Sequence, residues 1–330
     1  MRKPVRIITG GEIKQYYSMK QAIDSMDRAF SLLSAGEGFV PLRFVSKLPS
    51  DKMMMLFKPA YVEKERRISV KFLVQREEGV IPGIPIIQGI VLVIDADSGE
   101  ILSIMDGESL TALRTGAASG LATRCFARKD AGILAVFGCG TQGRSQVEAV
   151  TCERDIKKVL VYDKNRDTAD RFASEIEKKY MIEVVNTGDI SLLAEADIIC
   201  TSTNSTEPLF KKDVLKEGVH INAIGSFQPH MQELDPYILR DAKVYVDHID
   251  SCTKESGDFI IPIAGGIIQK SHILGEIGDY CMGKIPGRES DKEITVFKSV
   301  GIAIQDFTVA TDIYDSSFRN SFGQDISLFD

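Results

Sequence analysis

The 330-residue chain has no tryptophan, no CxxC pair, no HExxH or HxH spacing, no block of clustered lysines and arginines, and no apolar run near the length of a membrane span. Each absence excludes a class of function. Six scattered cysteines and four histidines form neither a zinc pattern nor a disulfide framework, so no metal site is expected and the cytoplasm is the expected compartment. The most apolar stretches, Gly89 to Ile94 and Ile133 to Phe137, fall far short of the roughly 20 residues a membrane helix needs. The basic start, Met1 to Arg6, is followed by no long apolar segment, which argues against a signal peptide. Forty basic against 47 acidic side chains leave a net charge of −7, which disfavours nucleic acid as a partner. A small anion remains compatible, because one cationic pocket can sit inside an acidic protein. With 44% apolar residues over this length, two folded domains are expected.

What is present reads in two parts. Lys20 to Ala35 carries Ile23, Met26, Ala29, Phe30 and Leu33 at helical steps. Short strand-like runs follow at Lys52–Leu56, Ile68–Val74 and Gly89–Ile94, and the turn Asp95 to Gly99 leads into Glu100–Met105. These predict an antiparallel sheet. Ser109 to Thr123 is rich in Ala, Gly, Ser and Thr, as suits a helix packed close to other backbone. From there strands and helices alternate: strands at 133–137, 158–162, 183–185, 197–201, 220–224 and 243–246, with helices at 142–151 and 167–179. That alternation predicts a parallel sheet with right-handed crossovers. A last helix-like run, Gly301 to Tyr314, has no strand partner and is free to return to the first part.

Gly138-Cys139-Gly140-Thr141-Gln142-Gly143 fits GxGxxG, a weak signal alone. Here a strand of five apolar residues leads in and a helix leads out, the context in which such a loop cradles a dinucleotide pyrophosphate. Asp163 closes the second strand 20 residues past Gly143, where a ribose hydroxyl acceptor belongs. Its charge opposes a 2′-phosphate, whereas Lys164 and Arg166 would attract one. NAD is preferred over NADP.

Three cations precede this unit: Arg43 among apolar neighbours, Lys71 interrupting a strand, and Arg114 in the small-residue helix. Each alone reads equally as a structural ion pair. Ahead of a nucleotide fold, together, they read as a clamp for a carboxylate, with Lys71 able to hold a proton on a reacting nitrogen.

Longer pieces carry a resemblance. Lys58-Pro59-Ala60-Tyr61, Leu110 to Ala118, Gly138 to Gly143, Glu255-Ser256-Gly257-Asp258, Gly283-Lys284 with Gly287-Arg288, and Glu293 to Gly301 resemble the ornithine cyclodeaminase/mu-crystallin family along nearly the whole chain. The resemblance implies an α/β protein in which a Rossmann dinucleotide-binding domain, 129–301, is inserted in an α+β substrate-binding and dimerisation domain, 1–128 plus 302–330. It implies a homodimer whose substrate is a small amino-acid or imino-acid carboxylate. Arg43, Lys71 and Arg114 would grip that carboxylate and its nitrogen, with Lys71 and Arg114 catalytic, and Val300 would touch the substrate. Gly138, Gly140, Thr141, Gln142, Gly143, Asp163, Thr203, Ile224, Gly225, Ser226 and Ser299 match cofactor-binding positions.

Departures from the family narrow the chemistry. Phe227 stands where cyclodeaminases carry an aspartate before Pro-Gly-Lys, and a phenyl ring carries no proton. Ile86 replaces a threonine, and Lys58 stands where an apolar residue is common, either as a surface lysine or to meet a second anionic group. The expected activity is therefore NAD(P)H-dependent reduction of a cyclic imino acid, such as Δ1-pyrroline-2-carboxylate to proline. The alternatives are an alanine- or opine-type dehydrogenase with His230 as proton carrier, an ornithine cyclodeaminase, which Phe227 disfavours, and a mu-crystallin-like binding protein.

Overall fold

The computed structural model of the chain describes residues 3–48, 53–76 and 84–328. Two compact units result: Met1–Arg114 with Ile302–Asp330, and Thr115–Gly301. The first division falls inside the helix Gly107–Phe126. Gly116, two residues past it, lies so close to the Ser145 backbone that a Cβ would stand 2.5 Å from the Ser145 carbonyl oxygen. Only a residue without a side chain lets the two backbones meet there.

In the first unit a sheet runs in spatial order Gln324–Ile326, Val5–Ile8, Ile101–Asp106, Ile87–Asp95, Arg67–Arg76, Met53–Val62 and Gly38–Phe39, with Phe44–Lys47 also paired to Met53–Val62. Lys52, the start of one expected strand, lies outside the described residues. The sheet is mixed rather than antiparallel, because Val5–Ile8 runs parallel to Ile101–Asp106. Two helices, Gly10–Tyr16 and Met19–Ser34, follow that first strand, so no hairpin ties it to its neighbour. Met19–Ser34 starts at Ser18, whose hydroxyl accepts from the Gln21 N–H while the Gln21 side chain returns to the Ser18 N–H. Ala303–Arg319 packs on that helix and across the strands Ile87–Asp95, Arg67–Arg76 and Met53–Val62.

The helices cover one face of this sheet, and the two-residue period decides which side chains they bury. On Met53–Val62 these are Met54, Leu56, Lys58, Ala60 and Val62; on Arg67–Arg76 they are Ser69, Lys71 and Leu73. Two lysines therefore stand at core positions, directly opposite each other in register. The other face carries an apolar row, Phe44, Phe57, Phe72 and Ile90, each paired with the next across four strands. Ring centroids of Phe57 and Phe72 are 4.8 Å apart, yet Phe44, Phe57 and Ile90 remain exposed.

The second unit contains an all-parallel sheet of eight strands: Glu183–Asn186, Lys158–Tyr162, Ile133–Phe137, Ile198–Thr201, His220–Ala223, Thr295–Lys298, Lys243–Val246 and Ile273–Glu276. This is the Rossmann-type order for its first five strands. Strands such as Ile198–Thr201 and His220–Ala223 are buried along their whole length, as a sheet covered on both faces requires. The order reverses between Ile133–Phe137 and Ile198–Thr201, and the crevice at their carboxyl ends is where such sheets bind ligands. Thr295–Lys298 and Ile273–Glu276 escape the sequence pattern because no full-length helix precedes them.

Candidate active site

In the first unit, strand Arg67–Arg76 delivers Lys71, helix Gly107–Phe126 delivers Arg114, and the C-terminal helix delivers Gln305 and Asp306. Lys71 Nζ donates to Asp306 Oδ1 at 2.6 Å and to Thr111 Oγ1 at 3.1 Å. Arg114 Nε donates to the same Asp306 oxygen at 3.0 Å, and its Nη1 to Gln305 Oε1 at 2.7 Å. Lys71 is 1% exposed, Arg114 5%, and Asp306 fully buried. One carboxylate oxygen thus fixes two of the three expected cations. Asp306 Oδ2 and Gln305 Nε2 are buried with no hydrogen-bond partner among the described residues. An acceptor and a donor held dry in this way cost free energy unless something satisfies them.

The third expected cation, Arg43, is half-buried and its charge reaches both Lys58 and Lys71. Lys58 itself is 5% exposed and is no surface lysine. Burial pushes its ammonium well below the ordinary lysine range, and Lys71, Arg43 and Arg114 push the same way, against Asp306. Burial likewise brings Lys71 down to about 7, with Asp306 pulling it up and Arg114 and Arg43 pulling it down. For Asp306 burial favours the neutral acid, but Lys71, Arg114 and Lys58 together hold the carboxyl below its usual range. The cluster is electron-poor, buried and short of negative charge.

The glycine loop of the second unit has the form a pyrophosphate needs. Gly138 takes φ of 93°, open to glycine alone at low cost, and a Cβ on Gly143 would lie 2.1 Å from the Gly138 carbonyl oxygen. A Cβ on Gly140 would meet nothing within 4 Å. Gly140 also caps the helix Thr141–Glu153 without a side chain, so the first-turn N–H groups at Thr141, Gln142 and Gly143 have no side-chain acceptor. Arg144 braces the loop from behind, donating to the carbonyls of Cys139 and Gly140 at 2.7 and 3.2 Å. Asp163 stands at the end of strand Lys158–Tyr162, accepting from the Cys139 and Asn165 N–H groups at 2.8 Å each. Its oxygens keep lone pairs for a ribose diol. Open space, bare N–H groups and a positioned carboxylate fit a dinucleotide.

The other expected cofactor residues gather around two buried carboxylates. Glu233 Oε1 accepts from the Thr203 N–H at 2.6 Å and its hydroxyl at 2.8 Å. Oε2 accepts from Thr201 Oγ1 and the Gly225 N–H, both at 2.8 Å, and from the Ser226 N–H at 3.2 Å. Ile224 continues the same turn, its N–H donating to the Thr201 carbonyl. Asp247 Oδ2 collects Ser299 Oγ at 2.7 Å and the N–H groups of Val300 and Gly301 at 3.0 and 2.8 Å. Behind Glu233, Asp258 accepts from the N–H groups of Glu233 and Leu234 and pairs with buried Lys298 at 2.9 Å.

Phe227 packs against the apolar core of this unit, and His230 is exposed on the same loop. Ile86 is exposed just before the strand Ile87–Asp95, its carbonyl accepting from the Arg76 N–H, and Gly83 of its motif lies outside the described residues.

Sequence reasoning did not single out Asp306, Gln305, Glu233 or Asp247. A signal for Asp306 exists. It shares a helix face with Ala303, Phe307, Ala310 and Ile313, all buried, so a lone carboxylate interrupts an apolar stripe at helical spacing. Nothing in the local sequence marks Asp247, whose Oδ2 partners lie more than fifty residues further on.

The model of the ornithine cyclodeaminase/mu-crystallin family matches residues 6–321. The chain belongs to that family. A Delta(1)-pyrroline-2-carboxylate reductase from Bacillus cereus (strain ATCC 10987 / NRS 248) is 36% identical over 324 residues, 98% of this chain and 99% of the relative. The structure of Thermococcus litoralis Delta(1)-pyrroline-2-carboxylate reductase, in complex with NADH and L-proline, matches with a TM-score of 0.93 and 36% identity, covering 98% of this chain and all of the other. An archaeal alanine dehydrogenase dimer with bound NAD matches at TM-score 0.90 and 32% identity over 98% and 99% of the two chains. No group of three or more His, Cys, Asp or Glu side chains is placed to hold a metal among the described residues, and no helix there is long and apolar enough to cross a membrane.

Proposed function

We propose that this chain is an NAD(H)-dependent oxidoreductase that reduces a cyclic imino acid, Δ1-pyrroline-2-carboxylate, to proline. The observation that carries the reading is the buried Lys71–Asp306–Arg114 cluster, in a chain that matches over nearly its full length a reductase holding NADH and L-proline. The reaction adds a hydride to the C=N carbon and a proton to the nitrogen. NADH supplies the hydride when bound. Everything else is binding and charge.

Arg43 and Arg114 hold the substrate carboxylate, and Arg114 is itself held by Gln305 and Asp306, so its planar donors keep one orientation. Lys71 donates to the imine nitrogen, and a lysine brought down to about 7 can give up a proton near neutral pH. In the second unit the Thr141, Gln142 and Gly143 N–H groups take the pyrophosphate, and Asp163 takes the ribose diol, which favours NAD over NADP. Thr203, Ile224, Gly225, Ser226, Ser299 and Val300 line the route of the bound ligands, kept in place by Glu233 and Asp247. Reduction of a preformed imine needs no activated water, so the phenyl ring of Phe227 is no handicap, whereas cyclodeamination of ornithine would lack its proton carrier.

The active form is a homodimer joined through the first unit's uncovered sheet face. Phe44, Phe57, Phe72 and Ile90 form a continuous apolar row there, of the kind soluble monomers rarely leave to water. Six cysteines outside any disulfide suit the cytoplasm.

NADH oxidation measured with Δ1-pyrroline-2-carboxylate, with pyruvate plus ammonia, and with pyruvate plus amino acids tests the reading. Turnover of the cyclic imine well above the others is expected. Preferred turnover of pyruvate with ammonia would make the chain an alanine-type dehydrogenase instead, and tight NADH binding without any turnover would make it a binding protein.

A further inference from the structure

The mechanism above uses Asp306 only to hold Arg114, yet its carboxylate meets Lys71 as well. Asp306 sits on the helix Ala303–Arg319, and its Oδ1 receives Lys71 Nζ at 2.6 Å and Arg114 Nε at 3.0 Å. All three groups are at least nine-tenths buried. Around Lys71 the charged groups come from four elements: Lys58 opposite it on the neighbouring strand, Arg43 from the segment before Phe44–Lys47, Arg114 from the helix Gly107–Phe126, and Asp306 from the C-terminal helix. Three are cations. Asp306 is the carboxylate they share.

We propose that Asp306 is a positioning residue for the reaction: one oxygen aims Lys71 and Arg114 together, and its negative charge keeps Lys71 an ammonium donor among surrounding cations. The proposal rests on the reading of Lys71 as the group that meets the imine nitrogen. The geometry carries it. Two donors from different elements share one carboxylate oxygen, so the place of Asp306 sets the direction of both. Like charges directly opposite on paired strands repel, and Lys58 and Lys71 are such a pair. Without Asp306 the least costly response of the cluster is to lose a proton, and Lys58 and Lys71, both pushed below the ordinary lysine range, are the groups that can; only Lys71 is bonded to Asp306. The second oxygen, Oδ2, has no hydrogen-bond partner among the described residues, so it keeps lone pairs for the N–H that forms when the nitrogen is protonated.

The pH dependence separates positioning from plain support of the fold. Lys71 is charged below about 7 and neutral above, so kcat/KM for the imine falls as pH rises through that value. Removing the opposite charge lowers the point at which Lys71 loses its proton. In Asp306→Asn this limb moves to lower pH by a unit or more, so kcat/KM at pH 8 drops by about tenfold or more and recovers in part at pH 6. Asp306→Glu keeps the charge and holds the limb near its wild-type position. A purely structural aspartate predicts a loss equal at every pH in both variants, with the limb unmoved.

Titration of the lysine side chains by 13C NMR, with the Lys71 signal assigned through Lys71→Met, reads the same quantity without turnover. It applies even if the imine proves not to be the substrate, and if Asp306→Asn fails to fold Asp306→Ser supplies the comparison without the carboxylate. Lys71 titrating near 7 in the wild type and Asp306→Glu, and lower in Asp306→Asn, supports the proposal. Lys71 titrating at the same pH with and without the carboxylate overturns it.

Discussion

Both units bury charge, and they treat it in opposite ways. In the unit built from Thr115–Gly301, Glu233 and Asp247 are surrounded by donors that the fold itself supplies, mostly backbone N–H groups at strand ends, and Asp258 has Lys298 as well. In the unit built from the two chain ends, Lys58, Lys71, Arg43 and Arg114 gather around one carboxylate, and two polar atoms are left over. The first arrangement is closed and holds loops in shape. The second is open-ended, and a bound carboxylate and nitrogen would complete it. Buried charge satisfied from within marks architecture; buried charge left short marks the place where a ligand is expected.

Breaking the open-ended cluster should have the largest effect. Lys71→Met is expected to lower kcat/KM for the imine by about a hundred- to a thousandfold, the usual range for removing a proton donor, with NADH affinity retained. Loss of NADH binding to the same extent would assign Lys71 to the fold. Breaking the closed arrangement should act on stability first. Glu233→Ala strips acceptors from three backbone N–H groups and two hydroxyls and should cost about 3 kcal/mol in urea unfolding, with weaker NADH binding as the loops relax. A variant as stable as the wild type would show that water or other acceptors replace it. A smaller change is expected at the cofactor's edge, where Asp163→Ser should improve NADPH relative to NADH by about tenfold in kcat/KM. An unchanged ratio removes Asp163 from the ribose. The smallest effect belongs to Lys58. A buried ammonium next to other cations is a burden, so Lys58→Met should raise stability by about 1 kcal/mol in the same unfolding assay. Destabilisation would mean that the contacts Lys58 makes outweigh the cost of burying it.

How much of this the sequence disclosed follows from the range of the interactions. The strands Ile133–Phe137, Lys158–Tyr162 and Lys243–Val246 are found with the predicted ends, because apolar runs bounded by turn residues are local signals. The glycine loop and Asp163 are legible for the same reason. Lys71 and Arg114 stand out only as charges among apolar neighbours. Their meeting at Asp306 joins residues 192 and more positions apart, and no local pattern carries that. The parallel pairing of Val5–Ile8 is hidden likewise, since four residues hold no period and the partner strand lies about a hundred residues on. Lys58 is the instructive case. Alternation along Met53–Val62 places it on the same face as Met54, Leu56 and Ala60, so its burial was readable from period two, although a lysine invites the opposite reading.

The central claim is that the cationic cluster takes the carboxylate while the dinucleotide is held by the other unit's loops. Calorimetric titration of Arg114→Ala with L-proline in the presence of NADH, and with NADH alone, tests it most directly. Loss of L-proline affinity by about a hundredfold, beside an NADH affinity equal to that of the wild type, is the predicted result. L-proline binding that survives the substitution, or L-proline and NADH affinity falling together, would contradict it.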